Sequence, residues 1–315
     1  MAVADLILPV FAVIVTGWVA GYFGYVSLGL AEALIHFAYN IAMPALLFVT
    51  IGQEPARSLL AWGFLVAFGG GSLLCFAAVF FLSAGRTGHN RQSQTMYGLA
   101  ASMTNTGFVA LPVLQALYGG HAVLPAAIAT VFVAVVMFPL AVFLLEPQEA
   151  SGRMPRGALA RHIILNPMVL STLLGVVWSI IGAPIPGPAE AYLKILADAL
   201  TPCALFAIGL GLSLEGVRAN LGPSLALAAV KLILMPALVY ALALACGLDP
   251  LYVIAAVICA AVPTAKTVFI LAGEHKCEEP MVASTVSMTT LLSIVTLVVW
   301  LYALSGLNAG LPIGR

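Results

Sequence analysis

Apolar residues run through this chain in stretches of about twenty, the length that crosses the hydrocarbon core of a bilayer as an α-helix. Ten such stretches can be marked: 3–25, 29–51, 58–83, 92–118, 121–145, 160–182, 188–214, 220–246, 250–273 and 280–305. The connections are short, and only 146–159 reads as a linker. Charged residues make up 8% of the chain. Soluble domains carry roughly a quarter, so too few charges are present to cover a folded surface in water. The expected class is therefore all-α integral membrane, with ten transmembrane helices preferred to an eight-span map with two buried half-helices.

The lipid bilayer is then the main partner. A net charge of zero gives no reason to expect nucleic acid. No Lys or Arg precedes Arg57, so the apolar start lacks the positive region of a secretory signal and is expected to be a first helix. Cys75, Cys203, Cys246, Cys259 and Cys277 show no C-x-x-C spacing. Free thiols are expected, with no disulfide, metal site or cofactor. Ten spans put both termini on one side. With the termini outside, Arg86, Arg91, Arg153, Arg156, Arg161, Arg218 and Lys276 face the cytoplasm, and Arg57, Lys194 and Arg315 face out. That excess fits the positive-inside rule, and the expected location is the plasma (inner) membrane, multi-pass.

The halves of the chain resemble each other. At a shift of 158, Pro9, Gly17, Gly24 and Pro44 meet Pro167, Gly175, Gly182 and Pro202, and 40–48 aligns with 198–206. At a shift of 155, Tyr97, Ala100, Ala101 and Pro125 meet Tyr252, Ala255, Ala256 and Pro280. This divides the chain into a first five-helix repeat at 1–147, a cytoplasmic linker at 148–159 and a second repeat at 160–315. An odd number of spans inverts the second copy, and inverted repeats are a hallmark of secondary transporters.

Segment 4 is interrupted by Asn105, Gly107 and Pro112, and segment 9 by Pro263. A proline frees backbone groups in mid-membrane, which are tolerated only where protein or water satisfies them. Matched breaks in the two halves point to a substrate site. Lys266 follows Pro263 closely, and a lysine at that depth costs about 2.5–3.5 kcal/mol on insertion scales. Beside freed helix N-termini it makes a site for an anion. The expected substrate-binding set is Asn105, Thr106, Gly107, Pro112, Pro263, Thr264, Lys266 and Thr267. Thr104 also flanks a break; threonine hydroxyls there can bond freed backbone or substrate. Asp198, its repeat mate Asn40, and Lys231 are candidates for coupling or ion pairing. Lys231 ranks below Lys266 because its depth depends on where segment 8 is placed. Asp198 is the expected partner of Lys266 in the empty state. His36 and Glu32 stand in the first turns of segment 2 and suggest no mechanism.

The strings NIAMPALLF at 40–48, NTGFVALP at 105–112, NPMVLSTLLG at 166–175 and AVPTAKT at 261–267 resemble the auxin efflux carrier family in its compact bacterial form. The resemblance covers all ten spans. It implies the fold of bile acid symporters and sodium–proton antiporters. Segments 1, 2, 6 and 7 would form a scaffold that is often dimeric, and helices 4 and 9 would cross at their breaks in a moving part. It implies alternating-access transport of a small organic anion, such as malonate, malate or an auxin-like acid, by an elevator movement. A fixed lysine charge would stand in for the sodium ion of relatives. The alternatives are a sodium-coupled bile acid or organic anion symporter, and a non-transporting sensor or channel. An enzyme is not expected: no H-E-x-x-H, no G-x-S-x-G and no histidine stands near either break.

Overall fold

The structure, a computed structural model, describes residues 3–27, 29–54, 61–88, 90–145, 165, 167–211 and 221–308. The expected linker at 148–159 lies outside the described residues, as do Arg57, Arg153, Arg156, Arg161, Arg218 and Arg315. The described residues are helical, without strands. In chain order the longer helices among the described residues are α1 (Val3–Tyr22), α2 (Gly29–Gln53), α3 (Trp62–Leu82), α4 (Arg91–Ser102), α5 (106–118), α6 (123–145), α7 (Pro167–Ile181), α8 (Gly187–Leu210), α9 (Leu221–Ala245), α10 (Pro250–Ala261), α11 (Lys266–Glu274) and α12 (Glu279–Ala303).

Among the described residues, six helical stretches are long and apolar enough to cross a membrane: Gly29–Gln53, Trp62–Leu82, Thr106–Leu145, Gly187–Leu210, Leu221–Ala245 and Glu279–Ala303. The chain is thus a multi-pass membrane protein. The stretch Thr106–Leu145 has 40 residues, about 60 Å of helix and twice the hydrocarbon thickness. It is divided at Gly119, whose backbone is left-handed (φ +66°) and opens a 3₁₀ turn, Gly119–Ala122. Shorter apolar helices occur at Ala12–Tyr22, Pro167–Ile181 and Pro250–Ala261.

Prolines shape these helices without ending them. Wide π-helical turns at Ala38–Ala42, Thr106–Ala110, Val133–Met137 and Val230–Leu234 each stop two residues before a proline: Pro44, Pro112, Pro139 and Pro236. A proline lacks the donor for the carbonyl four residues back and clashes with it; widening the preceding turn relieves the clash. At Pro236 the carbonyl in question, Leu232 O, accepts instead from Trp300 Nε1 at 2.9 Å. The expectation that Pro112 breaks its helix is therefore corrected. Pro112 is buried inside a continuous α5, and the break lies upstream at 103–105.

Glycine lets α1 press on the second half of α8, and α7 on α2. A Cβ on Gly17 would stand 2.2 Å from Phe206 O, and one on Gly209 only 1.9 Å from Ile14 O. On the other pair, a Cβ on Gly175 would stand 3.3 Å from Phe48 O. Gly24 and Gly182, at the C-terminal ends of α1 and α7, are both left-handed (φ +71° and +68°), a conformation glycine adopts without penalty. Helices α4 and α10 are almost wholly buried, and α3, α9 and α12 pack around them.

Candidate functional site

Four helix ends meet at one place. Helix α4 stops at Ser102 and α10 at Ala261, and each chain then runs extended before the next helix starts. The two extended pieces pair as a single antiparallel bridge between Thr104 and Thr264. Asn105 N–H donates to Pro263 O and Ala265 N–H to Met103 O, both at 2.9 Å. Thr264 adds two bonds: its hydroxyl donates to Ala100 O at 2.7 Å, and its N–H to Thr289 Oγ1 at 3.2 Å. Backbone that left its helices inside the protein is thus satisfied by protein, as membrane depth requires.

The N-terminal ends of α5 and α11 open on a cavity of about 240 Å³. In α5 the first N–H groups to donate back along the helix are those of Val109 and Ala110, to Asn105 O. In α11 the first is that of Val268, to Ala265 O. The N–H groups of Thr106, Gly107 and Phe108, and of Lys266 and Thr267, therefore have no acceptor within their helices. Each helix N-terminus carries roughly half a positive charge, so two that converge supply about one. Such a cavity suits an anion.

Thr104, Asn105, Thr106, Gly107, Ala265 and Thr267 line the cavity from the breaks. Thr130, Val133, Ala134 and Phe138 of α6 close one side, and Tyr39 of α2 and Met168 of α7 another. The Tyr39 ring stacks on Phe108, with centroids 6.1 Å apart. Asn105 caps α5 with its backbone alone, so its amide is not spent on the helix. Thr104 is 1% exposed, and its hydroxyl has no hydrogen-bond partner among the described residues. Thr172, Trp178 and Thr296 also hold a buried group without a partner among the described residues; Thr104 differs from them in lining the cavity.

Of the residues expected from sequence, Asn105, Thr106, Gly107 and Thr267 come together around this cavity. Pro263 and Thr264 instead hold the bridge, through the carbonyl of one and the hydroxyl of the other. Pro112 lies further along α5, away from the lining. Lys266 is exposed and does not line the cavity. Its Nζ lies 3.0 Å from where a Cβ on Gly211 would stand, at the C-terminal end of α8, where a cation is favoured. Asp198 is exposed and sits thirteen residues upstream of Gly211 in the same helical stretch, about 20 Å at the helical rise. The expected pairing of Lys266 with Asp198 is corrected on that ground. Asn40 is exposed, and its amide donates to His36 O at 2.9 Å.

Lys231 is wholly buried, and its Nζ donates to Ala260 O at 2.5 Å and Val262 O at 2.6 Å, at the C-terminal end of α10. By sequence alone this lysine ranks below Lys266. The signal was present, a lysine five residues before a proline in an apolar run, but its depth was not. Tyr39, Thr130 and Met168 of the lining carry no such signal, because they stand far in sequence from either break.

A family model described as a membrane transport protein matches residues 2–301. A protein of Rhizobium meliloti (strain 1021) named "Putative malonate transporter" is 29% identical over 304 residues, covering 91% of this chain and 95% of the relative. "Uncharacterized transporter YfdV" of Escherichia coli (strain K12) is 25% identical over 312 residues, with 95% and 96% covered. "Auxin efflux carrier component 2" of Oryza sativa subsp. japonica is 29% identical over 153 residues, 47% of this chain and 24% of that longer protein.

Proposed function

This chain belongs to the auxin efflux carrier family of membrane transport proteins, and from that premise we propose that it is a secondary transporter of short organic carboxylates. The observation that carries the reading is the junction cavity, onto which two helix N-termini converge beside the unpartnered Thr104 hydroxyl. A carboxylate there accepts from the free N–H groups of α5 and α11, from Thr104 and from the Asn105 amide. The cavity, about 240 Å³, lies below the roughly 300–1,000 Å³ of drug-sized sites. That favours a malonate- or malate-sized acid over a bile acid, in keeping with the name of the Rhizobium relative.

The chain works by alternating access, with ten spans in two inverted repeats. Close packing supports the repeat: Gly17 on Phe206 O and Gly175 on Phe48 O exchange under the shift of 158, as do left-handed Gly24 and Gly182. Helices α1, α2, α7 and α8 are the scaffold, through which two copies pair. The substrate cavity lies between this scaffold, which contributes Tyr39 and Met168, and the bundle that holds the breaks. Sliding of that bundle carries the site from one side of the plasma membrane to the other. Both termini face outward. Ser151→Cys, introduced into protein whose five native cysteines are replaced by serine, should accordingly resist impermeant thiol reagents in intact cells and react after permeabilisation; labelling from outside would overturn the orientation.

Flux into proteoliposomes, with labelled malonate, malate and an indole acid, tests the activity. Thr104→Val tests the site. The substitution keeps shape and removes a hydroxyl that makes no hydrogen bond among the described residues, so stability should hold or rise. A hydrogen bond to a charged group is worth about 1.5–3 kcal/mol, so carboxylate affinity should fall roughly tenfold or more. Wild-type affinity in Thr104→Val would remove this hydroxyl from the site.

A further inference from the structure

We infer that the ammonium of Lys231 is a built-in cation that occupies, at the C-terminal end of α10, the position an exchangeable coupling cation would take. The last carbonyls of a helix lack partners within it and together carry roughly half a negative charge. In α10 the Ile258 carbonyl accepts from Val262 N–H, while among the described residues the Ala260 and Val262 carbonyls accept from Lys231 Nζ. Unwound backbone carbonyls at such a half-helix end are the ligands that hold Na⁺ in transporters with discontinuous helices.

The lysine is delivered there by the fold. It stands in the wide turn Val230–Leu234 that Pro236 requires, and it is 0% exposed. Among the described residues, the one ion pair is Lys194–Glu190, so no described carboxylate lies within 4.0 Å of Lys231. Among the described residues, the titratable groups that act on its charge are the thiols of Cys75 and Cys259. The other C-terminal end at the junction, that of α4, is served by neutral donors: Thr264 Oγ1 to Ala100 O at 2.7 Å and Cys75 Sγ to Ala101 O at 3.6 Å. Of these two ends, the one of α10 takes a charge. Val262 is three residues from Ala265 of the cavity wall, within about 11 Å even fully extended. The tethered charge therefore adds to the positive field at the anion site and cannot leave with the substrate. Transport then needs no sodium gradient.

The test uses purified wild-type, Lys231→Ala and Lys231→Met protein with sodium, potassium or choline as the sole cation, and reads melting temperature without substrate and malonate uptake in liposomes. Wild type should melt and transport alike in all three salts. Lys231→Ala should lose about tenfold or more of its uptake in choline, and sodium or methylammonium should restore much of both readouts by entering the vacated site. Lys231→Met fills that site without charge and should stay impaired in every salt. The inference is overturned by wild type that requires sodium or is specifically stabilised by it. Wild-type behaviour of Lys231→Met, or an impaired Lys231→Ala that neither cation rescues, overturns it as well. If neither variant folds, the wild-type comparison decides. Absence of malonate uptake in every salt counts against the carboxylate reading alone, because the melting temperatures need no substrate.

Discussion

Ala134→Trp should abolish carboxylate uptake, with a loss of about a hundredfold or more, in protein that still inserts and melts within a few degrees of wild type. Ala134 stands in the wide turn Val133–Met137 of α6 and faces the cavity half-buried. An indole carries roughly 150–250 Å² of surface, and the cavity is the free space beside it, so the ring fills the volume a substrate would use. The backbone bonds that join the two breaks are untouched, because none involves α6. Ala134→Ser is the control and should transport normally. Uptake by Ala134→Trp at the wild-type rate would show that the substrate passes elsewhere.

Asn105→Leu should be nearly as severe for a different reason. The backbone of Asn105 is fully used: its N–H donates to Pro263 O, and its carbonyl accepts from Val109 and Ala110. Its amide makes no hydrogen bond among the described residues and lines the cavity. Leucine keeps the backbone bonds and removes the directional donor, so folding should survive. Loss of a bond to a charged group, about 1.5–3 kcal/mol, predicts a fall in affinity of roughly 10- to 150-fold. Combined with Thr104→Val, the loss should fall short of the product of the single losses. Two donors to one carboxylate are coupled, whereas distant independent sites add. Strict additivity, measured by isothermal titration with malonate, would mean that the two side chains do not share a ligand.

Much of this protein was legible in the chain itself. A run of apolar residues is a local property, so membrane residence followed from composition and segment length. The places where segments 4 and 9 leave the helix were marked by Asn105 and Pro263, because backbone conformation answers to nearby residues. The matched glycines, Gly17 with Gly175 and Gly24 with Gly182, were visible at one offset, and the structure gives each pair the same local task.

Other features were decided only in three dimensions. Pro112 and Pro263 look alike as mid-segment prolines, yet one sits inside a helix that widened to admit it and the other in an extended bridge. The difference is the partner: at the second break, Met103 and Asn105 supply backbone bonds from a segment about 160 residues away. Lys231 and Lys266 also look alike, each a lysine in an apolar run. Depth and direction separate them. The wide turn before Pro236 aims Lys231 inward at bare carbonyls, while Lys266, at the first position of α11, lies exposed beside the end of α8. Sequence thus determined the solvent, the helical class and the neighbourhood of the two breaks, which depend on neighbours in the chain. Only the tertiary structure decided which helix ends converge on the cavity and which lysine is buried, because electrostatics and hydrogen bonding act between groups that folding, not sequence order, brings together.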